Sequence, residues 1–138
     1  MSKLQFVVPG SPVGKGRPRF RSFNGHVSTY TPKETQEAES RVKSAFLESG
    51  GKPFGDSPVG IEVVAYFPIP KSATRKAREA ILAGAVKHTH TPDIDNILKL
   101  VCDAINGIAF NDDKQIVVCK AEKRYSDEPR TEVSLWNE

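Results

Sequence analysis

Between Pro9 and Pro32 this chain cannot be helical. Pro9, Pro12 and Pro18, interleaved with Gly10, Gly14 and Gly16, remove backbone donors and favour non-helical dihedrals throughout "PGSPVGKGRPRFRSFNGHVSTYTP". An extended path is what remains. Side chains alternate faces along such a path, so Lys15, Arg17, Arg19 and Arg21 would point the same way as a stripe of four cations. Asn24-Gly25 lies between "RFRSF" and "HVSTY", and a type I′ turn needs positive φ at both central residues. The stripe is therefore expected on one arm of a β-hairpin; a merely solvated hairpin face would carry the same residues.

The remaining segments read in sequence. "LQFVV" predicts a first strand, Leu4 to Val8. Thr31-Pro32-Lys33-Glu34 has the form of a helix start, with Thr31 as N-cap, Pro32 at the first helical position and Glu34 completing a capping box. Thr35, Ala38, Val42, Ala45, Phe46 and Ser49 recur at helical spacing until Gly50-Gly51, predicting a helix over 32–49. "PVGIEVVAYFPIP" is rich in β-branched and aromatic residues and predicts a strand over 59–67, and "SATRKAREAILAG" a short basic helix ending at Gly84. After Pro92, the residues Ile94, Ile97, Leu98, Val101 and Ile105 fall on one face of a helix that Asn106-Gly107 ends. "QIVVCKAEKRY" and "TEVSLW" complete the set as strands, expected to form a hairpin through "SDEPR". With no repeat, linker or low-complexity segment, residues 1–138 predict one α+β domain with a mixed sheet and about three helices. A chain of 138 residues can bury a core without staples.

Composition narrows the function classes. Cys102 and Cys119 have no zinc or redox spacing, which favours a reduced, intracellular protein. Nowhere do about 18 apolar residues run together, and no signal peptide or lipid anchor is expected. Residues 1–90 hold fourteen Lys and Arg against seven Asp and Glu, whereas residues 91–138 hold six against ten. A basic surface beside a carboxylate cluster suits a polyanion held against bound metal ions.

Those carboxylates occur in "TPDIDNILKLVCDAINGIAFNDDKQIV". Asp93 and Asp95 flank Ile94 at the mouth of the helix. One cap does not need two aspartates, and in an extended lead-in both would project together while Ile94 turned inward. Asp112 and Asp113 follow after roughly three helical turns, close to the first pair if the next strand packs antiparallel to the helix. Either pair alone could serve as a cap or a turn. Four carboxylates together need protons or cations between them, and oxygen donors with few histidines suit Mg²⁺, or Mn²⁺ as a substitute, over zinc. Such a site hydrolyses phosphodiesters. An EF-hand starting at Asp93 is excluded, because Leu98 stands where Gly is required and Ala104 where Glu is required. Lys99, one turn after Asp95, either pairs with it or reaches a substrate phosphate; Asp103, one turn further, reads as a surface partner of Lys99. His88 and His90 would share a face as phosphate contacts or a strand-end cap, and Trp136 would pack on the sheet.

The D-x-D-N-x-x-K core and the later Asp pair resemble the RusA family of Holliday-junction resolvases. The likeness is close over residues 92–117 and looser at "KGRPRF", the hairpin and "KAREA". It implies an α+β homodimer with Mg²⁺-dependent sites that makes paired symmetric nicks in four-way DNA junctions, in DNA recombination and repair. It also implies that Asp93, Asp95 and Asp113 hold the metal and that Lys99 is needed for activity. Lys15, Arg17, Arg19 and Arg21 are expected to contact DNA phosphates, in the cytoplasm of a bacterial or phage-infected cell. The alternatives are a metal nuclease for other branched DNA and a non-catalytic basic DNA-binding protein.

Overall fold

A computed structural model describes residues 3–16 and 19–138, with Arg19 and Tyr30 described by backbone alone. Strand β1 (Lys3–Pro9) leads through a loop to the two-stranded ribbon β2 (Arg19–Phe23) and β3 (His26–Tyr30). Helix α1 (Lys33–Glu48), strand β4 (Val59–Pro68), helices α2 (Arg75–Leu82) and α3 (Ile94–Ile105), and strands β5 (Ile116–Ser126) and β6 (Arg130–Asn137) follow. The fold is α+β, with three helices, a mixed four-stranded sheet in the order β1-β6-β4-β5, and the separate ribbon.

Strand β4 is the axis of the core. Its alternate residues Val59, Ile61, Val63, Ala65 and Phe67 are buried on one face, with Val133 and Leu135 of β6 and Phe6 and Val8 of β1 alongside. Helices α1 and α3 cover this face with Ala38, Val42, Phe46, Ile97, Leu100, Val101 and Ile105, in one continuous cluster. Each Val, Leu, Ile or Phe among them contributes roughly 1.5–3 kcal/mol by leaving water. The ribbon turns at Asn24 and Gly25 with φ of 49° and 79°, the left-handed pair that a type I′ turn requires.

Three local expectations need correction. Strands β5 and β6 do not form a hairpin: β4 lies between them, parallel to β5 and antiparallel to β6. The apolar β4 run needs a neighbour on each side, and the α2–α3 crossover delivers β5 parallel to it. Residues 127–129 then pass the end of β4, a gap of about 10 Å that three residues can span. Arg130 braces this passage by donating to Ser126 Oγ and the Glu128 carbonyl. The capping box at Thr31 is absent: the N-cap is Pro32, without a side-chain cap, and Gln36 donates to the Thr31 carbonyl. Finally, Ile94 is 40% exposed and does not point inward, because the helix already begins there and its buried stripe starts only at Ile97.

Candidate functional site

Helix α3 is the platform of the site. Its buried stripe fixes its rotation against the sheet, leaving Asp95, Lys99 and Asp103 in line at successive four-residue steps. Asp93 is the N-cap residue with extended backbone, φ −69° and ψ 147°, yet its side chain makes no cap hydrogen bond. Asp95 lies in the first turn, where the helix dipole favours a carboxylate. Both are exposed.

The glycine-flanked segment at Lys15 crosses the start of this helix. A Cβ on Gly14 would lie 2.8 Å from Pro92 Cβ and 3.2 Å from Asn96 Cβ, so only glycine permits this approach. The Lys15 N–H donates to the Asn96 carbonyl at 2.8 Å, and the Gly16 N–H to Thr35 Oγ1 at 3.0 Å. Lys15 Nζ reaches Glu39 at 2.8 Å and Asp103 at 3.3 Å, and Lys99 Nζ reaches the same Asp103 carboxylate at 3.6 Å. Burial works against the charged Lys15 ammonium, but its hydrogen bonds to Glu39 and Asp103 outweigh this and raise its pKa.

The second aspartate pair opens a short 3₁₀ turn, Asp113–Gln115, just before β5. Asp112 is committed to that turn: its Oδ1 accepts from the Lys114 N–H at 3.0 Å, while its own N–H donates to Gln115 Oε1 at 2.7 Å. Gln115 Nε2 in turn donates to the carbonyls of Gly55 and Ser57, anchoring the turn to the loop before β4. The Lys114 N–H holds the Asp112 pKa below the ordinary aspartate range. Desolvation, a hydrogen bond with Asp112, and the charges of Asp112 and Asp103 push Asp113 the other way, with Lys99 partly offsetting them. Asp113 is thus within electrostatic reach of Lys99 and Asp103 on α3. Cys102, on the same helix, is driven to about 12, first by burial and then by Asp113 and Asp103, so its thiol stays protonated.

Asp93 and Asp95 are thus at the start of α3, and Asp113 senses the charges of Lys99 and Asp103 further along it. Among the described residues no three His, Cys, Asp or Glu side chains converge closely enough to enclose a metal ion. The donor chemistry of the group nevertheless fits a hard divalent cation: exposed carboxylate oxygens, no imidazole, a thiol locked in its neutral form, and one carboxyl raised by anionic neighbours that a cation would relieve.

Lys15 departs from the expected four-cation stripe. Lys15 turns onto α1 and α3 as a brace, Arg21 is on β2, the Arg19 side chain is not described, and Arg17 lies outside the described residues. His88 and His90 lie at the C-terminal ends of β4 and β5, where the His88 ring stacks on Phe67 at 3.7 Å, meets Tyr125 edge-on at 5.3 Å and His90 at 5.8 Å. Burial, with Lys123 and His90 nearby, lowers the His88 pKa, and Lys123 Nζ donates to the His90 carbonyl at 2.6 Å. This clasp ties the segment leading into α3 to the ends of β4 and β5. Trp136 packs flat over Gly60, where any Cβ would meet its indole at 2.2 Å. Sequence reasoning placed Asp103 as the partner of Lys99, as the structure has it, but missed the Lys15 bridge to Glu39 and Asp103, whose legible signal is the pair of glycines flanking Lys15.

Comparison with known proteins gives the family. A family model described as "Endodeoxyribonuclease RusA" matches residues 9–136. A protein of Bacillus subtilis strain 168, named "Uncharacterized protein YqaN", is 36% identical over 137 residues, which cover 98% of this chain and 96% of the relative. No helix among the described residues is long and apolar enough to cross a membrane. The chain belongs to the RusA family of endodeoxyribonucleases.

Proposed function

We propose that this protein is a Mg²⁺-dependent, structure-selective endodeoxyribonuclease that resolves four-way DNA junctions by paired symmetric nicks, acting as a homodimer in recombination and repair. Membership of the endodeoxyribonuclease family supports the class of reaction. The observation that carries the site assignment is that Asp93, Asp95 and Asp113 are the carboxylates of the group left without a cap hydrogen bond or ion pair to a described basic residue, whereas Asp112 caps a turn and Asp103 is held between two lysines. Carboxylates without a structural duty, on a helix crossed by a cationic segment, suit a polyanionic substrate.

In this reading Asp93, Asp95 and Asp113 hold the cation. Bound Mg²⁺, or Mn²⁺ in its place, supplies a Lewis acid for the scissile phosphate and acidifies a water. Lys99, whose ammonium is mostly exposed beside Asp103, swings to the phosphate and offsets its charge. Asp103 and Glu39 keep Lys15 from competing for the same carboxylates and hold the basic crossing over Asn96. A four-way junction is two-fold symmetric, so paired nicks call for a two-fold dimer with one site per subunit.

The test is cleavage of a labelled four-way junction and a matched linear duplex with Mg²⁺, with Ca²⁺ and with EDTA. Symmetric nicks on the junction alone, requiring Mg²⁺, are expected. Tight junction binding without cutting in any metal would replace this reading with that of a binding protein.

A further inference from the structure

The β2–β3 ribbon is the least self-sufficient part of the molecule. It packs chiefly on itself, and an isolated two-stranded hairpin is marginal in water. Yet Phe20, Phe23 and Val27 are 73%, 74% and 70% exposed, the three most exposed large hydrophobics described. The register places them on both surfaces of the ribbon. Phe20 and Val27 share one face, Phe20 opposite Thr29 and Val27 opposite Ser22; Phe23 shares the other with His26, Arg21 and Ser28.

An element that docks on a protein partner needs one apolar face. A ribbon apolar on both faces close to its tip suits insertion between two flat surfaces. The charge selects which surfaces these are: residues 1–33 contain six Lys and Arg and no Asp or Glu, so the segment that carries the ribbon is basic. Aromatic rings interleaved with basic residues are the means by which proteins stack on nucleobases while following a phosphate backbone. Apolar side chains inserted between base steps unstack them and bend the duplex.

We infer that the ribbon tip is a wedge that enters the opened branch point of the DNA, with Phe20 and Val27 stacking on bases exposed to one side and Phe23 on bases exposed to the other. This inference rests on the nuclease reading above and adds to it a contact with bases, distinct from the phosphate contacts of the cations. It assigns branch-point recognition to an element that carries none of the carboxylates. A duplex without a branch offers no exposed base faces, so the wedge contributes nothing there.

The experiment uses the full chain, a four-way junction carrying 2-aminopurine next to the branch point, and Ca²⁺ in place of Mg²⁺ to prevent cutting. Wild-type binding is expected to raise the 2-aminopurine fluorescence as the base unstacks from its neighbours. The Phe20→Ala and Phe23→Ala variants are expected to lose most of that rise and to bind the junction about tenfold more weakly. The slope of affinity against salt should stay unchanged, because no phosphate contact is removed. Phe20→Trp, which keeps a stacking ring, should restore the signal. Unchanged fluorescence and affinity in both alanine variants would overturn the wedge. So would a shift from dimer to monomer in sedimentation, since the ribbon would then pack on a second copy of the chain. A single-stranded oligonucleotide with the same probe separates the two readings. If the wild type ignored junctions yet perturbed the single-strand probe in a Phe20-dependent way, stacking by the ribbon would stand while the junction-resolving reading failed.

Discussion

The two aspartate pairs look alike in sequence and are used differently in the fold. At Asp112–Asp113 the first carboxylate accepts the Lys114 N–H and stabilises the 3₁₀ turn, leaving its neighbour raised by the crowding. At Asp93–Asp95 the N-cap residue makes no cap hydrogen bond, although it stands where an aspartate ordinarily would. One pair thus has one carboxylate bound to its own backbone; the other has none. A helix start that leaves its capping potential unused retains anionic oxygens for something outside the chain.

The sharpest way to break this comparison is to remove each charge without removing its shape. Asp93→Asn, Asp95→Asn and Asp113→Asn should each lower junction cleavage by at least about a hundredfold. Thermal unfolding should change little, because no cap hydrogen bond or ion pair is lost. Binding to an uncut junction should hold or strengthen, since negative charge facing DNA is removed. Asp95→Asn cutting at the wild-type rate would place the reactive carboxylates elsewhere.

A smaller effect is expected where the fold has already used the charge. Lys15→Met breaks contacts to Glu39 and Asp103 in a partly buried site and should cost about 1 kcal/mol of stability. The freed Asp103 then competes for Lys99, and cleavage should fall by less than in the Asp95→Asn variant. Gly14→Ala probes the same crossing sterically. Its Cβ would meet Pro92 and Asn96, so the segment must lift from the start of α3, and cleavage should drop while the β4 core and its unfolding cooperativity persist. Chemical denaturation and single-turnover cleavage of each variant separate the two contributions.

How legible this was depends on the range of the forces involved. The buried stripe of α3, the β4 alternation and the Asn24-Gly25 turn are written in local periodicity, and the elements stand where that periodicity puts them. Strand pairing is not local: "QIVVCKAEKRY" and "TEVSLW" are separated by a turn-like segment, so nearness suggested a hairpin, while the apolar β4 won both as neighbours. Lys15 shows the same limit. Alternation put it on a stripe with Arg21, but two carboxylates distant in sequence bind it more strongly than the extended path constrains it. Among the aspartates, spacing marked the group, and only hydrogen bonding distinguishes Asp112 as a cap.

The finest test of the contrast lies within the second pair. Asp112→Asn keeps a side-chain oxygen to accept the Lys114 N–H, so the turn should persist and the melting temperature should barely move; Asp112→Ala, which loses the acceptor, should lower it measurably. The charge effect has a definite sign. A carboxyl beside an ionised neighbour holds its proton to higher pH, so removing the Asp112 charge should let Asp113 ionise at lower pH, as followed by its ¹³C carboxyl resonance. Desolvation and Asp103 remain, so the midpoint should fall towards the ordinary aspartate value without reaching it. A folded-state pKa raised in this way favours folding at low pH, and that contribution is lost as pH rises through the Asp113 midpoint; in Asp112→Asn the loss should be smaller and complete at lower pH. An unmoved midpoint would mean that the two carboxylates do not sense each other, and the crowding that distinguishes Asp113 would then have to come from burial and from α3 alone.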